Sequence, residues 1–556
     1  MKKILPAVII VLFSFFTSEA QYSKYIIRFK DKAGTPFNIN NPTQFLTQRS
    51  VDRRSRQKIK IDETDLPITP RYLDSVRLAG NVKILNVSKW LNQVAIETTD
   101  AVALNKIAGF TFVINTTPVR IRLTGGTPSD KFKETFSTGT STLQPAGDYY
   151  NYGSSYDQIH FHEGEFLHNN GFHGEGMLVA IIDAGFYGYL TNPYFDSVRN
   201  AGRVKETYDF VNNEISVNED HPHGMQCFGL MAANKPGELV GTCPNATFYL
   251  YRTEEAATEY PIEEQNWVAA AERADSIGVD VLSTSLGYTT FDNPVFNHTY
   301  ADMNGRTTII AKGNTLSARK GIISVVAAGN EGSGIWHYIS TPADTDSILT
   351  VGASNVSGTI AGFSGYGPAS DNRIKPDVAS IGVGDAVSST SGTVTFGNGT
   401  SYAAPNLAGL VTCLWQAFQD FTNMEIIDAV KKSSPTYTTP DNRKGYGFPN
   451  FKTAFNYLTE QRLLRNPIVS LGNDWIKVFP NPFRNNFNVA LKIPSSANAT
   501  LLLFNAAGKL VVKQQVKIIG NQQQQIKFEN LILERGVYIL KYDNGANTRS
   551  VKLLVK

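Results

Sequence analysis

A serine hydroxyl attacks a carbonyl only with help: a base to take its proton, a carboxylate to orient that base, and donors for the oxyanion. The chain offers a candidate for each part. Ser401 lies in Gly399-Thr400-Ser401-Tyr402-Ala403-Ala404-Pro405, a small-residue turn leading into an apolar helical stretch that ends near Phe418. It should therefore stand at a helix N-terminus, where free N–H groups and the positive end of the dipole favour negative charge. Taken alone, an ordinary N-cap serine reads the same way. Pro405 falls in the first turns, where its missing N–H should cost little. Asp183 closes the apolar run Met177-Leu178-Val179-Ala180-Ile181-Ile182, short enough for a strand buried on both faces. His223 opens the helical segment 225–233, and Asn330 ends a second buried run, 321–329, bringing a carboxamide N–H donor.

The order Asp183, His223, Ser401 is that of subtilisin and differs from those of chymotrypsin and the α/β-hydrolases. Four blocks, Asp183-Ala184-Gly185, His223-Gly224, Ala327-Ala328-Gly329-Asn330-Glu331-Gly332 and 399–405, resemble the signature blocks of the subtilisin-like serine proteases. The resemblance implies that Asp183 orients the imidazole, His223 serves as base and then acid, Ser401 attacks, and Asn330 with the Ser401 N–H holds the oxyanion. It further implies that Ser285-Leu286-Gly287 and Ala327-Ala328-Gly329 wall the specificity pocket, whose small residues leave room for a large apolar side chain before the scissile bond. Two departures stand out: Ala184 replaces the usual Ser or Thr, and Met225-Gln226 replaces the usual Thr-His. They motivate one alternative, a catalytically impaired subtilase scaffold acting as a cell-surface binding protein. The family needs no cofactor or metal for its chemistry. Structural calcium is frequent in it, and no ligand set is assigned here.

These residues need a scaffold that brings strand ends and helix starts together. Residues 158–460 alternate apolar runs with helical segments, as an α/β domain with a parallel sheet and helices on both faces requires. The helix 262–277, with Trp267, Ala270, Ala271 and Ala274 at helical spacing, feeds a strand that ends at Ser285. Residues 21–120 mix short strands and helices into a small α+β unit. Preceding a subtilisin-like domain, that unit resembles the propeptide which assists folding and then acts as a transient inhibitor. Its basic run, Arg49, Arg53, Arg54, Arg56, Lys58 and Lys60, reads as a solvated helix face. Residues 121–157 and 461–474 read as linkers, the first also a processing region.

The remaining segments concern export. Residues 1–20 have the basic start, apolar middle and Ser18-Glu19-Ala20 ending of a signal peptide, so the chain should cross the inner membrane and be secreted or held at the cell surface. Residues 475–556 carry short alternating runs separated by turns, an all-β sandwich pattern. The opening Pro480-Asn481-Pro482, with Gly536-Val537-Tyr538, resembles the C-terminal sorting domain of the type IX secretion system, which makes that machinery an expected partner beside polypeptide substrates. Fifty-two basic residues against 49 acidic ones leave a net charge of +3, and no motif points to nucleic acid. Three cysteines make no disulfide framework; Cys227 and Cys413 read as buried thiols, and Cys243 could pair with one of them. His160, His162, His168 and His173 read as surface and packing residues.

Overall fold

The computed structural model describes residues 22–121, 130–132, 135–136, 142–465, 471 and 474–556. The segment 1–20, expected to be a signal peptide, and parts of both expected linkers lie outside the described residues. The chain divides into two units, Met1–Leu458 and Thr459–Lys556.

A seven-stranded parallel sheet organises the first unit. The strand Leu178–Asp183 sits inside it, with Thr247–Arg252 and then Val204–Asp209 on one side. On the other side follow Val281–Thr284, Ile323–Ala327, Leu349–Ser354 and Val378–Ile381. Alternation within the first strand explains its unbroken apolar sequence. Val179 and Ile181 face a core shared with Met225, Phe228, Leu407 and Leu410 of two helices, His223–Ala232 and Thr400–Ala417. Ala180 and Ile182 face Trp267, Ala270 and Ala274 of the helix Ile262–Ile277. Strand order reverses beside Leu178–Asp183, and such a switch point opens a crevice at the carboxyl ends of the strands.

The N-terminal residues form a four-stranded antiparallel sheet in the order Lys83–Ser88, Gln93–Glu97, Tyr22–Phe29, Val113–Ile121. Its last strand runs further than the apolar stretch 110–115 suggests; Pro118 is tolerated because this is an edge strand. Val94 and Ile96 pack with Tyr72, Val76, Ala103 and Ile107 of the unit's own helices. The opposite face lies on the helix Ile262–Ile277 and is mixed: Ile26, Leu85, Ala95 and Val119 pack with Tyr260 and Ile262 beside a set of polar contacts. There Asn86 Nδ2 donates to Asn266 Oδ1 at 2.7 Å, Gln93 Nε2 to Gln265 Oε1 at 2.6 Å, and the Trp90 backbone N–H to Glu272 Oε1 at 3.0 Å.

The basic run is a solvated face only in part: Arg56, Lys58 and Lys60 are exposed, but its two central arginines are not. In the helix Gln48–Arg56, Arg53 and Arg54 are buried, both paired with Asp275, and Arg54 Nη2 also bonds Asp65 Oδ1 at 2.7 Å. Lys320 reaches the same Asp65 at 2.9 Å. Burial alone would raise the Asp275 carboxyl, but Arg54, Arg53 and Lys89 overcome it and hold it below the ordinary range. Local spacing could not reveal this, since the acid that neutralises the two guanidiniums is more than 200 residues away. Asp275→Ala would leave both arginines buried and short of their shared acceptor. In a Ser401→Ala background, urea unfolding should show a loss of about 3–5 kcal/mol. Arg56→Ala, at a half-exposed neighbour, should stay within about 0.5 kcal/mol.

Two of the four clustered histidines are structural. His162 Nδ1 donates to Pro449 O at 2.7 Å and its Nε2 accepts from Ser380 Oγ at 2.8 Å. His168 Nε2 donates to Thr242 O at 3.0 Å and its Nδ1 accepts from Tyr152 Oη at 2.7 Å. Burial pushes each from 6.5 down to about 4. The unfolded chain then binds more protons than the folded one between those values, so stability falls as pH drops from 6.5 to 4, by up to about 3 kcal/mol per histidine. Denaturation of the Ser401→Ala protein across that range measures it, and His168→Gln should flatten the slope. The three thiols, Cys227, Cys243 and Cys413, are buried and unpaired, so Cys243 forms no disulfide.

The second unit carries two antiparallel sheets. One is Ile476–Phe479, Phe487–Leu491, Gln524–Phe528; the other is Leu510–Ile518, Ala497–Asn505, Gly536–Asp543, Thr548–Val555. Their inner faces close over Val489, Leu491, Leu501, Leu503, Leu540 and Leu553. The helix Phe451–Arg465 extends past residue 460 into the stretch expected to be a linker.

Candidate active site

Asp183 is the last residue of its strand and His223 the first of its helix, and close packing of the two elements brings them together. A Cβ on Gly224 would lie 2.4 Å from Gly185 O and 2.8 Å from Asp183 Cβ, which is why glycine follows the histidine. Gly185, at φ +141°, makes the reciprocal approach to Asp220 and His221. His223 Nδ1 and Asp183 Oδ1 are 2.6 Å apart in a buried pair. Because the carboxylate can only accept, Nδ1 carries the proton and Nε2 is left as an acceptor. Burial alone would lower the His223 imidazole; the Asp183 carboxylate outweighs it and raises the group well above the usual histidine range.

Ser401 lies in the first turn of the helix Thr400–Ala417, 9% exposed. Pro405 is inside this helix, and its missing N–H deprives the Ser401 carbonyl of its i+4 donor. Ser285 Oγ supplies one instead at 2.8 Å, and Cys227 Sγ another at 3.3 Å. The proline therefore leaves a carbonyl that needs partners, and these tie Ser401 both to the strand-end segment at Ser285 and to the His223 helix. Asn330 Oδ1 accepts from Thr400 N and Oγ1, each at 2.9 Å. With the oxygen so engaged, Nδ2 is the part of the carboxamide left for another acceptor.

A cavity of about 470 Å³ joins these groups. His223, Ser401, Asn330, Ser285, Leu286, Gly287, Ala327 and Gly329 all line it. Ala328 does not: as neighbours along the chain face opposite ways, it packs with Val326, Ile339 and Ala343. Glu331 and Ser340 line the cavity too, and Glu331 Oε2 and Ser340 Oγ are buried with no hydrogen-bond partner among the described residues. The large apolar side chain expected here would meet that carboxylate. Of the two departures, Ala184 offers Asp183 a backbone N–H at 2.7 Å and no hydroxyl, and Asp183 Oδ2 is buried without a partner among the described residues. Gln226 is matched to its surroundings: its Oε1 accepts from Tyr402 Oη at 2.6 Å, linking the His223 and Ser401 helices.

Residues that sequence reasoning left in a linker also enter the cavity. The Phe132 ring lies 4.9 Å from the His223 ring, and Lys131 is beside it. Thr135–Phe136 pairs antiparallel with Asn398 and Gly397, just ahead of Ser401. A lone Lys-Phe pair in a Gly/Ser/Thr-rich stretch gives no periodic signal, so only the fold could find it.

Residues 174–447 match the family model "Subtilase family". Residues 174–447 belong to the subtilase family. This subtilase is a serine endopeptidase of the subtilisin type, and its residues 24–132 match "Peptidase S8 propeptide domain, Bacteroidota". Residues 477–556 match "Secretion system C-terminal sorting domain". Subtilisin NAT of Bacillus subtilis subsp. natto is 29% identical over 292 residues, covering 52% of this chain and 68% of the relative. Serine protease AprX of Bacillus subtilis is 29% identical over 307 residues, covering 50% and 65%. Among solved structures, MycP1 from Mycobacterium smegmatis is similar at a TM-score of 0.43 and 20% identity, covering 58% of this chain and 89% of that one.

Proposed function

We propose that this subtilase hydrolyses polypeptides through an acyl-enzyme formed on Ser401, with Asp183 and His223 completing the triad. His223 Nε2 takes the Ser401 proton as Oγ attacks the carbonyl, and the Asp183 carboxylate balances the imidazolium. Asn330 Nδ2 and the Ser401 N–H, whose first-turn position gives it no intrahelical acceptor, receive the oxyanion. His223 then protonates the leaving amine, and a water activated by the same imidazole releases the acyl group. Nothing in this sequence calls for a cofactor. The observation that carries the reading is the buried 2.6 Å Asp183–His223 pair, whose histidine lines one cavity with a helix-start serine. A non-catalytic binding scaffold would have no use for it.

The 24–132 segment acts in this proposal as a transient inhibitor, cut off between Phe132 and Thr135 by the enzyme's own triad. Its docking face, where Asn86, Gln93 and the arginines stand beside the apolar patch of Ile26, Leu85 and Val119, has the mixed character of an interface whose partner later leaves. The sorting domain directs export, and the enzyme is secreted or held at the cell surface. The test uses matured protein and an unstructured polypeptide: hydrolysis should fall in step with phosphonate labelling of the enzyme. Hydrolysis that persists in fully labelled protein would overturn the proposal.

A further inference from the structure

Lys131 is held in a way that a linker residue does not require. Its ammonium lies 2.9 Å from Glu254, 3.0 Å from Glu259 and 2.9 Å from Glu263, and its backbone N–H donates to Ala256 O at 3.0 Å. The recess is built to keep those carboxylates in place. Tyr288 Oη and Thr253 Oγ1 donate to Glu254, while Glu255 N at 2.7 Å and Tyr260 N at 3.0 Å donate to Glu263. Glu254 and Glu259 line the same cavity as His223 and Ser401. Burial alone would lower the Lys131 amine; the three acids outweigh it and hold it well above the lysine range.

Lys131 also has a defined place along the groove. Phe132 covers His223, and Thr135 pairs with Asn398 ahead of Ser401, so a cut between Phe132 and Thr135 leaves Lys131 two to four residues to its amino side. Once the propeptide departs, three carboxylates whose oxygens approach within 4.8 Å of one another, Glu254 and Glu259 among them lining the groove, are left without their cation. Burial pushes Glu259 up to about 7 even with Lys131 in place. An empty recess of this kind favours any chain that returns a positive charge to it.

We propose that Glu254, Glu259 and Glu263 form a substrate subsite for a lysine or arginine side chain. The mature enzyme thus selects peptides with a basic residue two to four positions before the scissile bond. This rests on the triad and on propeptide release as proposed above. The propeptide shows the subsite filled by the chain's own sequence.

The test is a set of quenched fluorescent peptides copying residues 129–138, with Lys, Arg, Met or Glu at the position of Lys131, given to the matured enzyme. The kcat/KM values for Lys and Arg should exceed that for Met by roughly 10–100-fold, with Glu lowest. Glu259→Gln should shrink the Lys-to-Met ratio, read as a ratio within each enzyme so that any general loss of activity cancels. Equal rates for Lys and Met peptides in wild-type enzyme overturn the subsite and leave the triad standing. Failure to hydrolyse any peptide, with Ser401 also refractory to a phosphonate probe, overturns both.

Discussion

Ser401→Ala, purified free of other proteases, should keep residues 24–132 attached to the rest of the chain. The groove is already occupied: Phe132 lies on His223, and Thr135 is paired beside Asn398. What the variant lacks is the oxygen proposed to attack. Loss of the nucleophile in a subtilisin costs about 2 × 10⁶ in kcat, a magnitude that belongs to that enzyme, and a loss of this order would stretch a processing event of minutes to years. Gel electrophoresis over days should show one full-length band where the wild-type protein shows two fragments. Release at the wild-type rate would mean that another residue or another protease makes the cut.

Asp183→Ala should be the next most damaging change. Removal of the corresponding carboxylate in a subtilisin costs about 3 × 10⁴. The structure adds a sign for pH. With Asp183 present, His223 is held well above the usual histidine range, so cleavage, which needs the neutral imidazole, should rise with pH through a value above 6.5. Without Asp183 burial is no longer outweighed, and the imidazole should titrate lower. Residual cleavage by the variant should therefore be slow at every pH but reach its plateau at a lower one. Rate profiles of propeptide release for both proteins check this; an unmoved acid limb would mean that Asp183 does not set the proton affinity of His223.

The sequence displayed much of this because Asp183, His223 and Ser401, the proposed triad, each end or begin an element whose pattern is local. Leu178–Asp183 is apolar throughout since both faces are covered, and the Ile262–Ile277 helix ends at Gly278, which adopts φ +97°. What stayed hidden depends on partners far along the chain. Arg53 and Arg54 read as a charged helix face because Asp275 could not be seen from there. Pro405 looked harmless until its helix was found to begin at Thr400, which leaves the Ser401 carbonyl to Ser285 and Cys227. Ala328 looked like a pocket wall because a motif names residues and says nothing of which way each one faces. Lys131 and Phe132 carried no signal, since a segment that lies in a groove as a substrate does needs no periodicity of its own.

The claim that Ser401 is the nucleophile is tested most directly by finding the atom that a serine-reactive phosphonate modifies. Matured protein would be labelled, digested and mapped by mass spectrometry. The account predicts a single adduct on the peptide containing Gly399-Thr400-Ser401, located on Ser401, and none in the Ser401→Ala protein. An adduct on another residue, or undiminished labelling of the variant, would contradict it.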